Sequence, residues 1–263
     1  VLNRRENRVI SANSVTSLEY ADPAVSTVCQ TSGKGRYREI VMKDREKRQS
    51  EFAIRLLDWG ERNLRDFPWR HTRSPYDIFI AECLVQRTRA AQVEPVYLQF
   101  LRKWPDMVSL SRATEDEIRS VIRRLGLGYR AARFRTIAAE FMKLFGGRIP
   151  DNLEELRRLY GKGLGDYMAH AILCFAFGKD VPLVDKNIER ILKRVFSIET
   201  RKDGHRDRRL WIFAGHLVPK GKAKRYNWSL IDFGALVCTP RKPMCIKCHV
   251  MDICDHGRET VCG

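Results

Sequence analysis

Four cysteines in the last part of the chain, Cys238, Cys245, Cys248 and Cys254, are separated by six, two and five residues. Thiolates gathered at such spacing hold zinc or iron and sulfur, and the pairing of the ligands separates the two. A structural zinc site draws on two short chelating pairs, and only Cys245 and Cys248 form one here. The wider loops therefore favour a cubane 4Fe–4S cluster, with zinc as the alternative. Disulfides, the third use of cysteine, belong to oxidising compartments, and the amino-terminal residues have no secretory pattern. An intracellular protein is expected. Cys83 and Cys174 lie in apolar helical runs, where a free thiol packs as a small hydrophobe.

A second chemical feature is the connector Gly161-Lys162-Gly163-Leu164-Gly165. Glycines at alternate positions allow a tight hairpin with outward backbone N–H groups, and the N-terminus of a following helix adds a positive dipole end. Such a turn can hold a phosphate. The next connector runs from Gly178 through Pro182 to Asp185, which precedes the amphipathic run Ile188, Ile191, Leu192, Val195 and Phe196. An Asp in that place is an N-cap, a chemical group, or both.

The elements that must position these groups read as helices. Val93, Val96, Tyr97, Phe100, Leu101 and Trp104 step by three and four, which places them on one face. Thr114 and Glu117 have the spacing of a capping box ahead of Ile118, Val121, Ile122 and Leu125. Phe134, Ile137, Ala138, Phe141 and Met142 make a further stripe, ended by Gly146-Gly147. No stretch alternates with period two, so the expected class is all-α, with about ten helices. Residues 1–48 lack periodicity and are rich in Arg, Ser and Asn, which reads as a disordered basic extension ahead of a folded domain at 49–263. No apolar run approaches the length of a membrane span; Ala169 to Phe177 is the densest. The 263 residues carry 49 Lys and Arg against 32 Asp and Glu, a formal charge of +17. That excess calls for a polyanionic partner, since neutralising phosphates releases counterions and gives affinity without sequence preference.

The order of these features, a helix-hairpin-helix, a Gly/Pro loop closed by Asp and a late C-x6-C-x2-C-x5-C cluster, resembles the iron–sulfur branch of the DNA glycosylase superfamily that includes endonuclease III and the adenine glycosylases. Asp66-Phe67-Pro68-Trp69-Arg70, Tyr167 after the hairpin, Ala176-Phe177-Gly178-Lys179, and Leu230-Ile231-Asp232-Phe233 before Cys238 are most similar to the archaeal-type thymine-DNA glycosylases of G·T mismatches. The hairpin departs from the family pattern, because Gly161-Lys162 stand where Leu-Pro is usual.

The resemblance implies an all-α fold of two helical lobes with a cluster loop over 238–254, and a monomer acting on double-stranded DNA that contains a mismatched base. It places Asp185 at the catalytic aspartate, which stabilises the oxocarbenium-like sugar and orients water. Tyr167 falls where lyase-active relatives carry a Schiff-base lysine, so a monofunctional hydrolase is implied. Glu82 falls on the helix that carries a proton-donating acid in the adenine branch. Gln86 and Arg87 fall where relatives fill the gap left by an extruded base. Gly161, Lys162, Gly163 and Gly165, with Lys242 and Lys247 on the cluster loop, would meet the DNA backbone. The expected activity is removal of thymine, and of uracil, opposite guanine. Adenine excision is the alternative, disfavoured by Tyr167 and by the nine residues after Cys254, too few for an additional carboxy-terminal domain. A non-catalytic DNA-binding iron–sulfur module is the alternative of another class, and Asp185 speaks against it, since a carboxylate beside the sugar repels the phosphate backbone.

Overall fold

The computed structural model of the chain describes residues 33–86, 88–200 and 204–262. Twelve α-helices lie among them: α1 (Gly33–Asn63), α2 (Pro75–Val85), α3 (Ala90–Lys103), α4 (Met107–Arg112), α5 (Glu115–Ile122), α6 (Ala131–Phe145), α7 (Leu153–Arg157), α8 (Asp166–Phe175), α9 (Lys186–Phe196), α10 (Arg208–His216), α11 (Ala223–Leu236) and α12 (Asp255–Cys262). The described residues contain no strand, only a single bridge between Tyr160 and Leu164. No helix among them is long and apolar enough to cross a membrane.

The chain divides into two units, residues 1–43 and 44–263. Residues 33–48 are helical, which corrects the expectation of disorder up to residue 48; residues 1–32 lie outside the described residues. The correction has a plain cause. Arg, Lys and Glu dominate this stretch and favour helix intrinsically, yet residues 44–47 are exposed and leave no apolar stripe to be read. Arg45 already lies over the Phe213 ring, and Arg48 donates to Ile253 O at 2.8 Å and to Asp255 Oδ1 at 2.6 Å.

Two cores fill residues 44–263. The first gathers Phe79, Phe100, Phe134, Phe141, Ile118 and Ile122 from α2 to α6. The second gathers Phe52, Leu56 and Trp59 of α1 with residues of α9, α10 and α11. Each fully buried side chain of this kind contributes on the order of 1.5–3 kcal/mol. Helix α8 belongs to both, giving Ala169, Ile172 and Leu173 to the first core and Ala171, Cys174 and Phe175 to the second. Helix α2 is shared likewise, with Ile78 on the second core and its other apolar residues on the first. The two helices thus form the wall between the two cores.

The stripes read from sequence are the buried faces of α3, α5 and α6. The Thr114 capping box is formed in both directions, and α6 stops where Gly146 turns left-handed at φ 62°.

Candidate functional site

Three polar side chains meet at the seam. Glu82 comes from the middle of α2, Tyr167 from the first turn of α8, and Asp185 from the N-cap of α9. Asp185 is held from two sides: Oδ1 accepts from the backbone N–H of Asn187 at 2.9 Å and of Ile188 at 2.7 Å, and Oδ2 accepts from Asn187 Nδ2 at 3.1 Å. The N-cap reading of this residue is therefore correct. It also fixes the carboxylate, half-exposed, at the N-terminal end of α9.

Glu82 stands in the opposite condition. It is buried, and its Oε2 has no hydrogen-bond partner. Burial pushes its carboxyl up to about 7, the charge of Asp185 pushes the same way, and the Tyr167 hydroxyl and Arg70 pull down. Both protonation states are thus populated near neutral pH. Tyr167 is held well above the usual phenol range by burial and by the two carboxylates, so it stays neutral and can donate.

The hairpin leads directly into α8. Gly161 has φ 78° and Gly163 φ 123°, conformations that favour glycine, while Gly165 is the extended N-cap of α8. No heavy atom lies within 4 Å of where a Cβ would stand at Gly161 or Gly165, so the backbone there is open to an approaching anion. Lys162 is exposed and reaches Glu140 at 3.6 Å.

The four cysteines converge on one pocket that also includes Arg194, Pro243 and Met244. Among the described residues no three His, Cys, Asp or Glu side chains come close enough to hold a single metal ion. A tetrahedral zinc with bonds of about 2.3 Å would need its sulfurs about 3.8 Å apart. Arg194 donates to Cys238 Sγ at 3.4 Å and the Gly257 N–H to Cys254 Sγ at 3.3 Å, contacts suited to thiolates. Burial pushes the Cys248 thiol up to about 11, so in the absence of a cation it remains protonated at neutral pH. The loop thus gathers four sulfurs in one pocket, with N–H groups of Arg194 and Gly257 directed at two of them.

The structure brings Glu82, Tyr167 and Asp185 together. Gln86 is the C-cap of α2, one turn beyond Glu82. Arg87 lies outside the described residues. Lys242 and Lys247 are exposed on the cysteine loop.

Sequence reasoning missed several supporting residues. Arg190 NH1 donates to Asn187 Oδ1 at 3.0 Å, and Arg190 Nε donates to Cys238 O at 3.0 Å. A continuous chain of hydrogen bonds thus joins Asp185, through Asn187 and Arg190, to the first cysteine. Asn227, fully buried, donates to Val181 O at 2.9 Å and accepts from the Leu183 N–H at 3.3 Å, strapping the loop ahead of Asp185. Tyr129 is 71% exposed on a loop that also carries Arg123 and Arg124, and buried Arg130 beside it donates to Cys83 O at 3.2 Å, tying the loop to α2. The signal available for Tyr129 was an aromatic residue next to Gly128 in an arginine-rich connector.

A helix-hairpin-helix followed by a capped aspartate at an inter-lobe seam defines a class, and the family comparison agrees with it. Residues 80–213 match the HhH-GPD superfamily of base excision DNA repair proteins, and the chain belongs to that family. It is 40% identical over 208 residues to the thymine-DNA glycosylase of Aeropyrum pernix, covering 76% of this chain and 91% of that one. The thymine/uracil-DNA glycosylase of Methanothermobacter thermautotrophicus is 36% identical over 211 residues, covering 80% and 95%. The solved structure of a thermostable thymine-DNA glycosylase superposes with a TM-score of 0.76 at 36% identity, over 81% of this chain and 98% of that one. The human adenine DNA glycosylase is less alike, at 32% identity, and this chain spans 39% of it.

Proposed function

We propose that residues 44–263 form a monofunctional DNA glycosylase domain that hydrolyses the N-glycosidic bond of thymine, and of uracil, mispaired with guanine. The observation that carries this reading is the fixed Asp185 carboxylate facing a seam that also holds a neutral-pH acid, in a chain whose similar relatives excise these bases. The target base leaves the stack before attack. As its bond to the sugar breaks, positive charge develops on the sugar, and Asp185 stabilises it from a position already set by three donors. Thymine and uracil depart as stabilised anions; the protonated fraction of Glu82 can supply a proton as they leave. Tyr167 offers a hydroxyl where an amine would be needed for a Schiff base, so water completes the reaction. The hairpin, Lys242 and Lys247 contact phosphates, Gln86 and Arg87 occupy the vacated stack, and Tyr129 offers a stacking face. The protein acts inside the cell as a monomer on double-stranded DNA.

The cysteine loop fits a 4Fe–4S cluster held by Cys238, Cys245, Cys248 and Cys254. Bound there, the cluster would fix the loop that presents Lys242 and Lys247. Metal analysis should give about four irons per chain, and Cys248→Ser should lose them together with DNA affinity.

One observation favours a second reading. An acid poised near neutral pH suits a purine, which leaves poorly without a proton, so adenine excision competes with thymine excision. A single assay separates them: duplexes carrying G·T, G·U, A·G and oxidised-guanine·A pairs, with abasic sites revealed by alkali. Excision confined to the last two pairs rules out thymine. In the same assay Asp185→Asn should keep DNA binding and lose at least about 10²-fold in excision. Borohydride trapping of a covalent complex would rule out the monofunctional mechanism.

A further inference from the structure

The hairpin lacks the Leu-Pro usual in this family, and Gly161-Lys162-Gly163 is a sequence with much conformational freedom to lose. The fold nevertheless holds it from outside. Arg133 of α6 donates through Nε to the Gly163 carbonyl at 3.0 Å and through NH2 to the same oxygen. Seven residues further along the same face of α6, Glu140 meets Lys162. A third tie closes the turn itself, where the Tyr160 hydroxyl donates to Asp166 Oδ1 at 2.8 Å. Gly163 is what permits the close approach, since a Cβ there would lie 3.1 Å from Arg133 Cγ.

We propose that Arg133 is a positioning residue for the phosphate-binding hairpin, and that α6 thereby supplies the stiffness that Leu-Pro gives in the family pattern. The proposal rests on the reading of the hairpin as a DNA contact. Arg133 is exposed, so the competing role is an ordinary charge contact with phosphate. Geometry favours the brace. Two nitrogens of its planar fork are engaged on one backbone oxygen, a grip that the point charge of a lysine cannot reproduce. The Lys162–Glu140 pair, at 3.6 Å and largely exposed, adds little by itself.

Three variants of the full chain test this. Arg133→Lys keeps the charge and loses the fork, Arg133→Ala loses both, and Gly165→Glu sets a carboxylate in open space at the phosphate approach. Amide hydrogen exchange of Lys162, whose N–H donates to Leu159 O at 3.0 Å, should accelerate at least about tenfold in the DNA-free protein in both Arg133 variants, a change of about 1.4 kcal/mol in the opening equilibrium. Arg133→Lys should keep the slope of log affinity against log salt while its affinity for a G·T duplex falls at least about fivefold, since the charge remains and the donors lose their aim. Wild-type exchange in both variants, or wild-type affinity in Arg133→Lys with loss in Arg133→Ala, overturns the brace. If Gly165→Glu binds DNA as tightly as wild type, the hairpin is no DNA contact, and the brace falls with that reading. If Gly165→Glu weakens binding while the Arg133 variants do not, the brace alone falls.

Discussion

Two of the buried carboxylates among the described residues, Asp232 and Glu82, stand under opposite conditions. Asp232, in α11, is 0% exposed and accepts from the Arg65 backbone N–H, from Arg65 Nε and NH2, and from Arg70 NH1 and NH2, at 2.7–2.9 Å. Glu82, in α2, is 6% exposed and has an oxygen with no partner. The fold can therefore satisfy a buried acid completely where the role is to hold chain segments together. It leaves one oxygen of Glu82 without a donor at the seam. Arg70 links the two regions: it is saturated by Asp232, lies over the rings of Phe67 and Trp228, and pulls the Glu82 carboxyl down against its burial.

Removing Asp232 should have the largest effect on stability. Asp232→Ala leaves two guanidinium groups without their counter-charge, and loss of one partner from a buried pair costs about 3–5 kcal/mol. Urea unfolding measures it, and a loss below about 1 kcal/mol would mean that the α1–α11 connection is held by its apolar contacts alone.

Glu82→Gln should act in the other direction and only over part of the pH range. The folded-state pKa of Glu82 lies above its unfolded value, so its contribution to stability is fully present below pH 4.5 and is lost as pH rises through about 7. Gln does not titrate. The variant should match wild type near pH 4 and exceed it by about 3 kcal/mol above pH 8, from the shift at about 1.4 kcal/mol per unit. Equal stability at both pH values would show that Glu82 is satisfied and remove the contrast with Asp232.

A finer test uses the link between the two. Asp232→Asn removes one negative charge beside Arg70 while keeping much of the hydrogen bonding, so the field of Arg70 at Glu82 should strengthen. The Glu82 midpoint, followed by carboxyl-carbon NMR, should then fall below its wild-type value near 7. An unmoved midpoint would show that burial alone sets it.

The contrast also explains what could be read from the chain. Asp185 was legible because its role is local: an N-cap bonds two and three residues ahead, and that offset is written in the sequence. The hairpin glycines and the cysteine spacing are local in the same sense. Asp232 was visible as a residue and invisible as a hub, because its partners stand 162 and 167 residues away. Asn227 and Arg190 escaped for the same reason, at 46 and 48 residues from the backbone atoms they hold. The first turns of α1 escaped for another reason. Residues 44–47 are exposed and bury no stripe, and periodicity reports burial rather than helicity.

A third carboxylate completes the series and gives the smallest expected effect. Glu117 lies in the capping box of α5, exposed, and accepts from the Thr114 N–H and Oγ1, both at 2.9 Å. Those donors hold its carboxyl below the usual range. Water would solvate it well without them, so its satisfaction says little about stability and nothing about function. Thr114→Ala should cost about 1 kcal/mol through the lost cap, with excision of thymine from a G·T duplex unchanged, because no contact from the box reaches the seam. A loss above about 3 kcal/mol would mean that the first lobe depends on its helix ends rather than on the core around Phe100 and Phe141.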